Sequence, residues 1–102
     1  MGVGMSVVDT DTRILNANSQ AFEILAKSPT QVLNNSVVDI FPTSVRAKLS
    51  DALKQVIQMP AKTKISFHTD FDDRAINTTV SAILLSESKA GWVLVLEDVQ
   101  TV

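Results

Sequence analysis

Across Pro60 the apolar residues change their spacing. From Thr43 onward Val45, Leu49, Ala52, Leu53, Val56 and Ile57 recur at intervals of three and four, the stripe of one long amphipathic helix. Pro60 has no N–H with which to continue it, so the helix is expected to end near Gln58. Beyond that point the period falls to two: Ile65, Phe67, Thr69 and Phe71 alternate with Lys64, Ser66, His68 and Asp70, which predicts a strand. Asp70-Phe71-Asp72-Asp73 turns the chain, and Ala75 to Leu85 reads as a second strand with Ile76, Thr78, Val80, Ala82 and Leu84 on one face. Ser86 to Gly91 reads as the next turn. Trp92 to Val99 is nearly continuous in apolar residues, the pattern of a central strand covered on both faces.

The N-terminal part mixes the same two periods. Met5 to Val8 and Arg13 to Ala17 flank the polar run Asp9 to Thr12, the layout of a hairpin. From Ser19, the residues Ala21, Phe22, Ile24, Leu25 and Ala26 form a short helical stripe, with Asn18 or Ser19 able to cap its free N–H groups. Pro29 suits the first turn of a second short helix reaching Leu33, capped by Ser28, and Asn34 tolerates the left-handed conformation that ends it. The predicted order is β-β-α-α-α-β-β-β. Strands and helices are segregated, which implies an α+β domain: one antiparallel sheet with helices packed on one face. The 102 residues, with no internal repeat, are read as a single domain over 1–102.

Charge and cysteine content narrow the function classes. Nine basic and eleven acidic residues leave a net charge of −2, with no basic footprint for nucleic acid or anionic lipid. The absence of cysteine rules out disulfides, thiolate nucleophiles and thiol metal sites. The longest apolar run, Trp92 to Leu96, is far shorter than the roughly 20 residues of a membrane-spanning helix. This segment is therefore expected to make no membrane contact.

The stretch Arg13 to Pro42, RILNANSQAFEILAKSPTQVLNNSVVDIFP, brings a strand into Asn18, then a helix, then Asp39-Ile40-Phe41-Pro42. In this it resembles the PAS domains, and Gly91 to Val99 is similar to the last strand of PAS domains in bacterial histidine kinases, where an Asp-hydrophobic-Thr triplet precedes the output helix. The resemblance covers essentially the whole chain. It implies a five-stranded antiparallel sheet crossed by short helices and one longer helix, in a domain belonging to a longer signalling protein. Thr12, Ala26 and Asn34 depart from the pattern, standing where the family often has glycine, and Gln100 stands where the triplet usually has threonine, with Thr101 next.

The resemblance also implies a function: a cytoplasmic sensory module of a histidine kinase, without catalysis of its own, in a parent protein that is itself membrane-anchored or not. Such a module responds to a small ligand or partner through a homodimer interface and passes the change through Asp98 to Val102 into an output domain. The alternative is a ligand-free dimerisation or interaction module of a diguanylate cyclase or transcriptional regulator. Carried over by periodicity, the ligand-holding face is lined by Phe41, Leu49, Leu53, Phe67, Thr78 and Val80, with Thr78 as its one clear polar group. Apolar residues at this spacing are more often plain core. The long helix has no His for haem, and without Cys there is no flavin adduct, so the cofactor is unknown and non-covalent flavin stays open.

The remaining polar residues have ordinary readings. His68, the only histidine, has no metal-ligand neighbours and reads as a surface residue. Asp70, Asp72 and Asp73 lack the twelve-residue calcium pattern and read as a turn. Asp39, Glu97 and Asp98 have no nucleophile or metal partner to complete an enzyme site, and Asp39 reads as a backbone cap near Pro42. No metal site is expected.

Overall fold

The computed structural model describes residues 3–58, 64–71 and 74–98. The chain runs β1 (Gly4–Asp9), β2 (Ile14–Ala17), α1 (Ser19–Leu25), α2 (Pro29–Val32), α3 (Val37–Ile40), a 3₁₀ turn (Thr43–Val45), α4 (Arg46–Gln58), β3 (Lys64–Phe71), β4 (Arg74–Ser86) and β5 (Lys89–Asp98). The five strands form one antiparallel sheet in the order β2-β1-β5-β4-β3. The α+β architecture is the expected one.

Four local features depart from the periodic reading. Val37 to Ile40 forms a separate helical turn, α3, before the long helix; its β-branched residues have weak helix propensity, and no period emerges in four residues. The predicted turn at Ser86 to Gly91 is only Glu87-Ser88, because β4 and β5 pair down to Ser86 opposite Lys89. The face predicted for β4 is buried only as far as Val80: Ala82 and Leu84, placed on the same face, are exposed, Leu84 to 79%. Finally, β5 is central, but only one of its faces is covered: Trp92, Leu94 and Leu96 are buried, whereas Val93 and Val95 are half-buried on the other side. Pro60, the Asp72-Asp73 turn, Val99 and Gln100-Thr101 lie outside the described residues.

Register assigns the two faces. Opposed residues on neighbouring strands point to the same side, so Ser6, Val8, Trp92, Leu94, Leu96, Ile76, Thr78, Val80, Ile65 and Phe67 share the inner face beneath the helices. A bulge at Leu15, which has no partner while Val7 pairs with Asn16 and Val8 with Ile14, turns Ile14 inward to full burial. The outer edge of β2 is covered by the loop before α3. Ile14 N–H donates to Asn35 O, Asn34 N–H to Ile14 O and Val37 N–H to Thr12 O.

Asn18 joins α1 to the sheet. Its Oδ1 accepts from Ala21 N–H (2.9 Å) and Met5 N–H (3.0 Å), while Nδ2 donates to Val3 O (2.9 Å). It caps the helix and holds β1 at once. Helix α1 then packs on β1 at Gly4, where a Cβ would meet Ala21 Cα at 2.9 Å. Ser28 stands at the N-cap of α2 as expected, and its N–H donates to Gln31 Oε1, the return half of a capping box.

Thr12, Ala26 and Asn34 have φ of 67°, 56° and 66°, so the left-handed geometry persists at all three positions where the sequence departs from glycine. Asparagine adopts it readily; alanine pays a steric cost. Ala26→Gly is therefore expected to stabilise the domain by about 0.5–1 kcal/mol, after the larger unfolded-state entropy of glycine is subtracted. Urea unfolding checks this, as a higher midpoint at unchanged slope; a lower midpoint would refute it.

Candidate functional site: the inner face of the sheet

The six residues expected to line a site converge beneath α4. Phe41, from the end of α3, and Leu49 and Leu53, from α4, lie in one buried cluster with Val80 of β4, and Phe67 of β3 packs against that cluster. Thr78 is fully buried between Phe67 and Leu96 in the sheet register. The α3–α4 junction is held by Arg46, whose Nε donates to Phe41 O (3.3 Å) and Nη2 to Asp39 O (3.0 Å). Asp39 thus acts through its backbone carbonyl. Its carboxylate makes no hydrogen bond among the described residues, contrary to the capping role expected of it.

Helix α4 is tied to the sheet by the indole of Trp92, whose Nε1 donates to Leu53 O at 3.1 Å inside the core. Since Trp92 pairs with Val8 and Ala82, this bond joins helix and central strand at one point.

Two hydroxyls on the inner face are unsatisfied. Thr78 Oγ1 and Thr69 Oγ1 are buried and have no hydrogen-bond partner among the described residues. Thr69 faces Ile76 and Thr78 faces Phe67, which makes the threonines diagonal neighbours across β3 and β4. An orphaned buried hydroxyl costs about 1–3 kcal/mol. Thr69 was not among the expected lining residues, although the period of two from Phe67 places it on the same face. Trp92 and Leu96 were also missed, because a nearly continuous apolar strand does not reveal which residues face inward.

The remaining candidates disperse. His68 is exposed on β3 and Asp70 on the same strand, while Ser66 and Thr79 hydroxyls meet at 2.8 Å across the outer face. No group of three His, Cys, Asp or Glu that could hold a metal ion occurs among the described residues. Asp98 Oδ2 accepts from Arg74 Nη2 (2.8 Å) and Nε (3.2 Å), a paired fork at the end of β5 with side chains 43% and 23% exposed for Arg74 and Asp98. No helix among the described residues is long and apolar enough to cross a membrane.

A family model described as PAS fold matches residues 1–102. No curated protein matches. Among solved structures, a sensory box sensor histidine kinase from Vibrio cholerae superposes with a TM-score of 0.78 at 15% identity, covering 99% of this chain and 85% of that one. A domain of an HTR-like protein from Haloarcula marismortui gives 0.77 at 15% identity over 96% and 98% of the two chains. The PAS domain of the histidine kinase ThkA gives 0.72 at 16% identity over 96% and 100%. At these identities the structural likeness establishes the fold.

Proposed function

Because the chain belongs to the PAS family, we propose that it is a cytoplasmic sensory domain of a bacterial signalling protein, foremost a histidine kinase, that holds a small ligand on its inner sheet face and relays occupancy through a homodimer. The domain has no catalysis of its own in this reading. The observation that carries it is the pair of unpartnered hydroxyls on Thr78 and Thr69. A mostly apolar ligand with one or two polar atoms, seated among Phe41, Leu49, Leu53, Phe67 and Val80, satisfies both groups.

The relay rests on the two-sidedness of β5. Leu94 and Leu96 face inward, whereas Val93 and Val95 face outward beside Val7 and Met5, with which they pair. These outer residues form an apolar strip suited to a second copy. A ligand that shifts β5 from within moves that strip, and Asp98, at the end of the same strand, leads toward the output domain. A second reading, a ligand-free dimerisation module of a diguanylate cyclase or transcriptional regulator, is favoured by the full burial of Leu49, Thr78 and Val80.

Native mass spectrometry of the wild type and Thr78→Val, set against their denatured masses, tests both readings. The wild type is expected as a dimer carrying extra mass that is lost on denaturation. Thr78→Val is expected to lose that mass while gaining about 1 kcal/mol of stability from removal of the orphan hydroxyl. A bare wild-type dimer favours the ligand-free reading, and a bare monomer counts against relay by dimerisation of this domain alone.

A further inference from the structure

A groove of about 320 Å³ lies between α4 and the β1–β2 turn, bordered by Leu53 and Trp92 and not lined by Thr78. We infer that it is a second small-molecule site, taking an amphipathic monocarboxylate of short to medium chain length. The inference is independent of the inner-face ligand.

The groove is built for such a molecule. Buried Trp92 and Leu53 form the floor, and the apolar surface open to a ligand comes from half-buried Val38 and from Ile57, 39% exposed, an aliphatic wall on the last turn of α4. A hydrocarbon chain against these residues removes apolar area from water on both partners. Lys54, one turn before Ile57 and three residues away, stands at the rim with the Ser50 hydroxyl four residues earlier on the same helix face. Lys54 makes no ion pair among the described residues, so its ammonium is available to a ligand.

Charge around the groove sets the ligand's direction. At the opposite end stands the β1–β2 turn, where Thr10 lies between Asp9 and Asp11. Asp9 Oδ1 is engaged by the backbone N–H groups of Asp11 and Arg13, and Asp11 is exposed. Two carboxylates there repel an anionic head, which leaves the Lys54 end for it and the apolar floor for the tail. Asp51, on the next position of α4 after Ser50, forms no ion pair with Lys54. The volume falls at the lower end of the roughly 300–1,000 Å³ usual for small-ligand sites, too small for a docking helix.

Octanoate is the probe, titrated into the full chain and followed by calorimetry and by fluorescence of Trp92, the only tryptophan. Saturable binding is expected in the wild type. Lys54→Gln should weaken it about fivefold, as befits an exposed ion pair, and Ile57→Asp by roughly tenfold or more, because it places a charge against the chain. Lys48→Gln, also on α4, and Thr78→Val should leave it unchanged, and octanol should bind several-fold more weakly than octanoate. Absence of saturable binding overturns the proposal, as does equal binding by the wild type and Ile57→Asp, or by octanol and octanoate. Loss of octanoate binding in Thr78→Val with retention in Ile57→Asp assigns the acid to the inner face and overturns the groove while leaving the sensory reading intact.

Discussion

Replacing Phe41 by alanine is expected to destabilise the domain by about 4 kcal/mol, lowering the melting temperature by roughly 20 °C. Phe41 is among the largest fully buried side chains. Its backbone is pinned on both sides: its N–H donates to Val37 O at 3.2 Å, and its carbonyl accepts from Arg46 Nε. The surrounding chain therefore has little freedom to collapse into the space left behind, which places the cost high in the range for aromatic truncation. Against a total stability of about 5–15 kcal/mol for a domain, that loss is a large fraction. Urea unfolding followed by Trp92 fluorescence measures it. A loss below about 2 kcal/mol would show that the surrounding chain relaxes into the space left by Phe41 despite these bonds.

Gly91→Ala is expected to cost about 3 kcal/mol by overpacking the centre of the sheet. A Cβ on Gly91 would lie 2.4 Å from the carbonyl oxygen of Val8 and 2.9 Å from Leu85 Cδ1. Leu85 is the bulged residue between the Leu84–Ala90 and Ser86–Lys89 pairs, so its side chain can move aside. The Val8 carbonyl cannot, because Val8 pairs with Trp92 on one side and Ile14 on the other. Hydrogen exchange is expected to quicken at the β1 amides first. The double variant Gly91→Ala with Leu85→Ala separates the two contacts: recovery of full stability would assign the clash to the leucine and contradict the backbone account.

Much of this architecture was legible from residue spacing. The stripe through Leu49, Ala52, Leu53 and Val56 faces the core as its period requires, and all four are buried, whereas Ile57, expected on the same stripe, is exposed. The alternation through Ile76, Thr78 and Val80 faces inward over the same stretch. Asn18 caps α1 as its position suggested. What spacing concealed was short or symmetric. Four residues of α3 contain no full period, and a strand as uniformly apolar as Trp92 to Leu96 reads the same whether one face is covered or two.

The sequence by itself determined the kinds of element and their order, because helix and strand periods are local properties of which side chains recur on one face. It also determined the left-handed conformation of Asn34, which follows an extended Leu33 at the end of α2, and the amphipathic face of α4. Only tertiary structure decided that the outer face of β5 stays open, that a bulge at Leu15 turns Ile14 inward, and that Thr69 and Thr78 lie beside each other without partners. The same holds for the groove, assembled from Trp92, α4 and a turn more than thirty-five residues before α4's Ser50. The reason is physical: burial and hydrogen-bond satisfaction depend on neighbours distant in the chain, and a residue's own period does not specify which groups those neighbours will bring.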